Sequence, residues 1–188
     1  WFIESCKKIS YLFPRAHAVA YVMMAFRIAW FKVYHPLAFY AAYFSIRAKA
    51  FDLRIMTGDL KTQMTEFNRI KALDRGASPK DKDLMSALEV SMEMYQRGYR
   101  FVNVDIQHSE ARRFSIKDGA LLPPFLAIDS LGETVADAIV AEREERPFTS
   151  LKDLQRRCKV SNTIIDLMKE LKCCGELPED EQMSLFGA

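Results

Sequence analysis

Four residues near the start of the sequence combine charge, hydrogen-bonding capacity and ring surface at close spacing: Tyr11, Phe13, Arg15 and His17. Pro14 stands among them, and its fixed φ suits the first position of a helix. A helix that starts there leaves its first-turn N–H groups unpaired, and such an end attracts phosphate. Arg15 and His17 add donors beside it, while Tyr11 and Phe13 offer rings that can stack on a base or close over it. The chemistry expected of this group is the holding of a nucleoside triphosphate. On physical grounds alone, His17 would serve equally well as a hydrogen-bonded core histidine.

A second group runs from Ile128 to Ile139, with Ser130, Leu131, Gly132, Glu133 and Thr134 at its turn and Ala136 and Arg143 beyond. It resembles a helix-hairpin-helix motif. A tight turn of this kind aims backbone N–H groups at a DNA phosphate, and Gly132 permits close approach of the backbone. Ala136 lets two helices pack closely. The sequence departs from the usual pattern by placing Asp129 or Ser130 where a first glycine is expected, and an ordinary helix pair with a glycine turn is the alternative. A second hairpin near Val160-Ser161-Asn162 has no glycine and reads as degenerate. The third group, Gln182-Met183-Ser184-Leu185-Phe186, resembles the bacterial sliding-clamp-binding pentapeptide. Leu185 and Phe186 offer an apolar anchor, the Gln182 amide fixes the register, and Met183 replaces the usual Leu.

Other chemistries find little support. Cys6, Cys158, Cys173 and Cys174 lack the spacing of a zinc site and read as free thiols of a reducing cytosol. Asp105, Glu110 and Asp118 read as turn or surface residues rather than metal ligands. The apolar run Ala18 to Phe26 is far shorter than the roughly 20 residues of a spanning helix, and a membrane hairpin there would bury Arg27, Lys32 and His35. No membrane partner is expected, and no signal peptide is recognisable at Trp1 to Ile9. The formal charge of +2 conceals an asymmetry: before residue 51, Lys7, Lys8, Arg15, Arg27, Lys32, Arg47 and Lys49 face only Glu4. A basic, aromatic-rich first quarter suits phosphate-bearing partners.

The elements that must position these groups are mostly helical. The pattern predicts helices from Pro14 to Val33 and Leu37 to Arg47, both apolar over much of their circumference and both expected to be buried in a larger assembly, with most of their aromatics in a core. Helices are also expected over Asp59–Arg75, Lys80–Gln96, Thr134–Arg146, Ser150–Arg157 and Asn162–Lys172. Two or three short strands fall between Tyr99 and Leu122, around an Asp118-Gly119 turn. The fold class is mainly α with a small β element. Residues 1–122, 123–177 and 178–188 form three regions: a helical fingers segment with short strands near 100–122, the hairpin region and a flexible tail.

Taken in order, these segments resemble the C-terminal portion of a PolC-type DNA polymerase III alpha subunit, a family C bacterial replicative polymerase. Phe13, His17, Ala18 and Tyr21 match the family's Phe-x-x-x-His-Ala-x-x-Tyr core. Phe13-Pro14-Arg15-Ala16-His17 is closer to the PolC branch than to the DnaE branch, and His35-Pro36-Leu37, Glu93 to Tyr99, Pro123-Pro124-Phe125 and the terminal pentapeptide are PolC-like too. The resemblance implies templated chain extension from deoxynucleoside triphosphates. Tyr11 would lie by the nascent base pair, Arg15 and His17 near the incoming nucleotide, and Phe13 in the pocket wall. It implies primer-template DNA, dNTP, the sliding clamp (beta subunit) and the remainder of the polymerase chain as partners, in the cytoplasm. Mg²⁺ would be held by palm carboxylates upstream, so this stretch is expected to bind no cofactor and to extend no primer alone. A stand-alone DNA-binding or clamp-interaction module is the alternative.

Overall fold

The computed structural model describes residues 1–8 and 14–180. Helix α1 spans Phe2–Lys8 and α2 spans Arg15–Tyr34. His35 breaks the chain, and Pro36 opens α3 (Pro36–Ala42), which continues as one turn of π-helix, Tyr43–Arg47. Short α4 (Leu53–Met56) precedes α5 (Leu60–Ala72) and α6 (Pro79–Gln96), which pack side by side. The two-stranded antiparallel sheet pairs β1 (Ser115–Lys117) with β2 (Ala120–Leu122). The last three helices are α7 (Glu133–Glu145), α8 (Leu151–Cys158) and α9 (Asn162–Glu170).

Local chemistry explains most of these boundaries. Asp52 and Asp59 cap α4 and α5 by accepting from Ile55 N and Thr62 N. Ser78 and Asp81 form a reciprocal capping box around Pro79, and Gly98 ends α6 with φ +87°. Helix α5 stops at Ala72, earlier than the expected Arg75, because the chain tightens into a 3₁₀ turn at Asp74–Gly76. Asp118 and Gly119, at φ +51° and +75°, make the expected hairpin turn of the sheet. The run Phe101 to Val104 does not extend that sheet beyond a single bridge to Leu121. Asn103 diverts it: its side-chain oxygen accepts from Val104 N at 2.9 Å, and its amide donates to Leu171 O.

Two apolar cores result. The first gathers Tyr40, Phe44, Met56, Ile70, Leu88, Met94, Phe101, Phe114 and Leu121. A buried polar pair crosses it, with Ser91 Oγ donating to Gln63 Oε1 at 2.6 Å. The second core surrounds the hairpins and takes in Phe125, Ile128, Leu131, Ile139, Leu154, Val160, Ile165 and Met168. Leu53, Val104 and Ile106, from well before Pro123, belong to it as well.

Helix α2 is left largely uncovered by the rest of this chain's described residues. None of its residues is buried, and Tyr21, Phe26, Trp30, Phe31 and Tyr34 all lie exposed. At 20 residues it is long and apolar enough to cross a membrane by length and composition, more than the Ala18–Phe26 run suggests. It packs against α3. Arg97 donates to Lys32 O at 2.9 Å and to Tyr40 Oη at 3.0 Å, and Glu93 accepts from Tyr40 Oη and pairs with Lys32. The buried Tyr40 hydroxyl is pushed up to about 12, chiefly by its burial.

Candidate nucleic-acid interface

The first hairpin is built on an alternation of backbone conformations. After the prolines, Phe125–Ala127 makes a 3₁₀ turn, and Ile128 follows with extended backbone and a buried side chain. Ser130 takes φ +64°, the left-handed conformation that an L-residue seldom adopts. Leu131 then plugs the second core at 5% exposure, and Gly132 starts α7 with φ −75° and ψ 155°. The left-handed residue is thus Ser130, at the place where a first glycine is expected, and Gly132 itself has ordinary angles. Its role is spatial: a Cβ added there would meet nothing within 4 Å, so that face of the turn is open. No side chain caps α7, which leaves first-turn amides available to an external acceptor.

The flanking side chains are firmly held. Ala136 is fully buried, in keeping with the expected close helix contact. Arg143 turns inward, lying over Phe125 and donating to Ile106 O and Ser109 O. Glu133 reaches outward, where Arg112 Nη1 donates to its carboxylate at 2.5 Å. The same guanidinium grips Asp137 through Nε at 3.1 Å and Nη2 at 2.5 Å. Thr134 stands exposed on the first turn.

The second hairpin repeats this backbone. Lys159 takes φ +54°, Val160 plugs the core at 3% exposure, and Ser161 starts α9 with φ −70° and ψ 155°. Sequence inspection finds this turn degenerate because it lacks glycine. A better signal lies at an offset of 29 residues, where Leu131, Thr134, Val135, Asp137 and Ile139 fall opposite Val160, Thr163, Ile164, Asp166 and Met168. One difference matters: Ser161 Oγ accepts from Ile164 N, so this helix start carries its own acceptor.

Helix α8 locks the two hairpins together through Asp153, whose side chain is fully buried. Ser150 caps the Asp153 N–H at 3.0 Å. The Asp153 carboxylate accepts from Arg156 at 2.9 Å, Arg146 at 3.2 Å, Arg157 at 3.3 Å and Thr149 N at 3.3 Å. Burial pushes this carboxyl upward, but the hydrogen bonds of Arg156, Thr149 and Arg157 outweigh it and hold it below the usual carboxylate range. Arg157 also lies over Phe148 and reaches back to Glu142 of α7. Nearby, Pro178 O and Glu179 O accept from Leu151 N and Lys152 N, and Lys152 pairs with Asp180. Residues 178–180, read as the start of a flexible tail, are therefore bound to α8.

The other expected groups are only partly visible. Tyr11, Phe13 and the pentapeptide Gln182, Met183, Ser184, Leu185 and Phe186 lie outside the described residues. Pro14 proves to be the cap rather than the first helical residue, its carbonyl accepting from Ala18 N. Arg15 and His17 are exposed on the first turn of α2, with the His17 ring edge-on to Tyr21 at 4.4 Å. They stand on a helix that packs against α3, whereas α7 packs against α8 and the 3₁₀ turn.

Among the described residues, no cluster of three His, Cys, Asp or Glu side chains could hold a metal ion. Asp105 is taken up by Lys117 and His108, and Asp118 by the sheet turn. Burial pushes the Cys158 and Cys173 thiols up to about 11 and about 12, which leaves them unreactive.

The Asp153 network makes a pH-dependent prediction. Asp153→Asn removes the buried charge that three guanidiniums share, and should cost on the order of 3 kcal/mol near pH 7. A carboxyl held low in the folded state stabilises above its unfolded value of about 3.9, and that contribution is lost as pH falls through the folded value. Urea denaturation should therefore show a gap between parent and variant that narrows below about pH 4.

Comparison with known proteins agrees with this geometry. A family model described as a helix-hairpin-helix motif matches residues 98–182, which include both turns. DNA polymerase III PolC-type of Caldanaerobacter subterraneus is 49% identical over 186 residues. The proteins of the same name from Streptococcus suis and Streptococcus pyogenes serotype M12 are 50% and 48% identical over 189 residues. Each match covers 99% of this chain and 13% of the relative. With such identity along nearly its whole length, and a helix-hairpin-helix motif in its second half, the chain belongs to the PolC-type DNA polymerase III family and spans a segment of those longer proteins.

Proposed function

We propose that this chain is the part of a replicative DNA-directed DNA polymerase that grips the duplex, faces the incoming nucleotide and tethers the enzyme to a sliding clamp. The observation that carries the reading is the open, uncapped Gly132 turn inside a region that matches the helix-hairpin-helix motif. Backbone N–H groups at Gly132, Glu133 and Thr134 donate to a phosphate oxygen, while the left-handed Ser130 and the Leu131 plug keep the turn in place. Contacts of this kind fix position without reading base sequence. The second turn, which carries its own Ser161 acceptor, serves the fold first.

The nucleotide-facing part is assigned to Tyr11, Phe13, Arg15 and His17. Exposure of Arg15 and His17 on a helix start with no side-chain cap supports it. The nucleotidyl transfer requires Mg²⁺, assigned to carboxylates in the remainder of the polymerase, and no described residues here form such a site. That remainder also covers the exposed apolar surface of α2, which makes a membrane an unneeded partner and agrees with a place in the cytoplasm. The clamp-facing part is assigned to Gln182, Met183, Ser184, Leu185 and Phe186, following directly on residues bound to α8.

Three measurements test these assignments. The chain should bind duplex DNA with an affinity that falls steeply with salt and ignores base sequence. Gly132→Val should weaken that binding at least tenfold and leave the fold intact, since the added Cβ enters open space. Fluorescence titration at two salt concentrations checks this, and tight binding that persists in high salt would contradict the reading.

In the intact polymerase, Arg15→Ala or His17→Ala should raise the dNTP concentration for half-maximal rate, a lost phosphate contact being worth roughly 1.5–3 kcal/mol. The chain by itself should extend no primer. Primer extension with varied dNTP measures both. Replacing Leu185 and Phe186 together by Ala should abolish clamp binding, because one such anchor is commonly worth about 2 kcal/mol or more. Calorimetry of a peptide covering 179–188 against a purified bacterial clamp provides the readout, and no heat at tens of micromolar would refute the tether.

A further inference from the structure

Two carboxylates stand beside the turn that is assigned to a phosphate. Glu133 is the first residue of α7, and Asp137 lies one turn further on the same face. Each would repel a DNA backbone, and a free Glu133 carboxylate is also drawn to the positive end of its own helix, where it competes for the amides. The second turn lacks this conflict at its helix start. Asn162 takes the place of Glu133 there and carries no charge, its side chain engaged by Gln155.

One guanidinium answers both carboxylates. Arg112 donates to Glu133 at 2.5 Å and grips Asp137 with two nitrogens. Its backbone is fixed independently of those contacts, since Phe125 N donates to Glu110 O and Leu126 N to Ala111 O just before it. A residue anchored to the 3₁₀ turn therefore reaches over to the helix that follows. At roughly half exposure the three side chains add little to stability. Their weight lies in the field at the turn.

We infer that Arg112 is the positioning residue of the first hairpin: it holds the Glu133 carboxylate away from the uncapped amides and offsets one of the two negative charges that Glu133 and Asp137 bring, so that a DNA phosphate can dock. The inference rests on the DNA-binding reading of this turn and adds a residue outside it. Arg112 acts through the two acids and needs no contact with DNA of its own.

Duplex binding by the full 188-residue chain, followed by fluorescence anisotropy, separates the possibilities. Arg112→Gln should weaken binding about two- to threefold at low salt, the scale of one unit charge roughly 7 Å from a phosphate in water. The loss should shrink as added salt screens it. Neutralising the acids as well, in Arg112→Gln/Glu133→Gln/Asp137→Asn, should restore binding to the parent's level or better. A purely structural role would show instead as a lowered melting temperature with no recovery in the triple variant. If the parent binds and Arg112→Gln binds equally well, the inference alone fails. If the triple variant stays as weak as the single one, Arg112 touches DNA directly or supports the fold, and the inference again fails. Absence of salt-sensitive binding by the parent overturns both this inference and the reading beneath it.

Discussion

Every helix start must find acceptors for amides that have no partner within the helix, and from α2 onward this shortage is met in three ways. Asp52, Asp59, Ser78, Ser150 and Ser161 satisfy it at α4, α5, α6, α8 and α9 with their own side chains. Helix α3 avoids part of it by placing Pro36, which has no N–H, at its first position. Helices α2 and α7 begin at Pro14 and Gly132, with no side-chain cap. These are the two starts to which phosphates are assigned. Missing caps cost stability, and in the proposed reading an acceptor from outside offsets that cost.

Much of the architecture was legible because capping chemistry is local. Ser78-Pro79 with Asp81, Asp59 with Thr62, and Asp118-Gly119 each act within a few residues, and the elements they bound lie where the pattern places them. Non-local effects were not legible. The strand expected at Phe101 to Val104 fails to form because Asn103 bonds to Leu171, which stands 68 residues away. For α2, the apolar circumference reports that the helix needs cover from a larger assembly, but only the structure shows how little of that cover its own chain gives.

At the hairpins the same division holds. Gly132 drew attention as a glycine, yet the strained position is Ser130 and the second turn achieves that backbone with Lys159. A left-handed residue is recognisable when it is glycine and easily missed when packing forces it on another residue, as the Leu131 and Val160 plugs do here. Asp153 shows the energetic side of that packing. Its buried carboxylate joins the segment after α7 to α8 through guanidiniums that also reach Phe148 and Glu142, so the spacing of the two turns is set by ion pairing as well as by apolar contact.

Helix α2 is held near its C-terminal end, where Arg97 and Glu93 engage Lys32. At 20 residues it extends about 30 Å, and in mechanical terms it is a cantilever. A tilt of about 10° at its base carries the far end through roughly 5 Å, more than the length of a hydrogen bond. Arg15 and His17 ride on that far end. Small changes at the Arg97 pivot are therefore magnified where these two side chains stand.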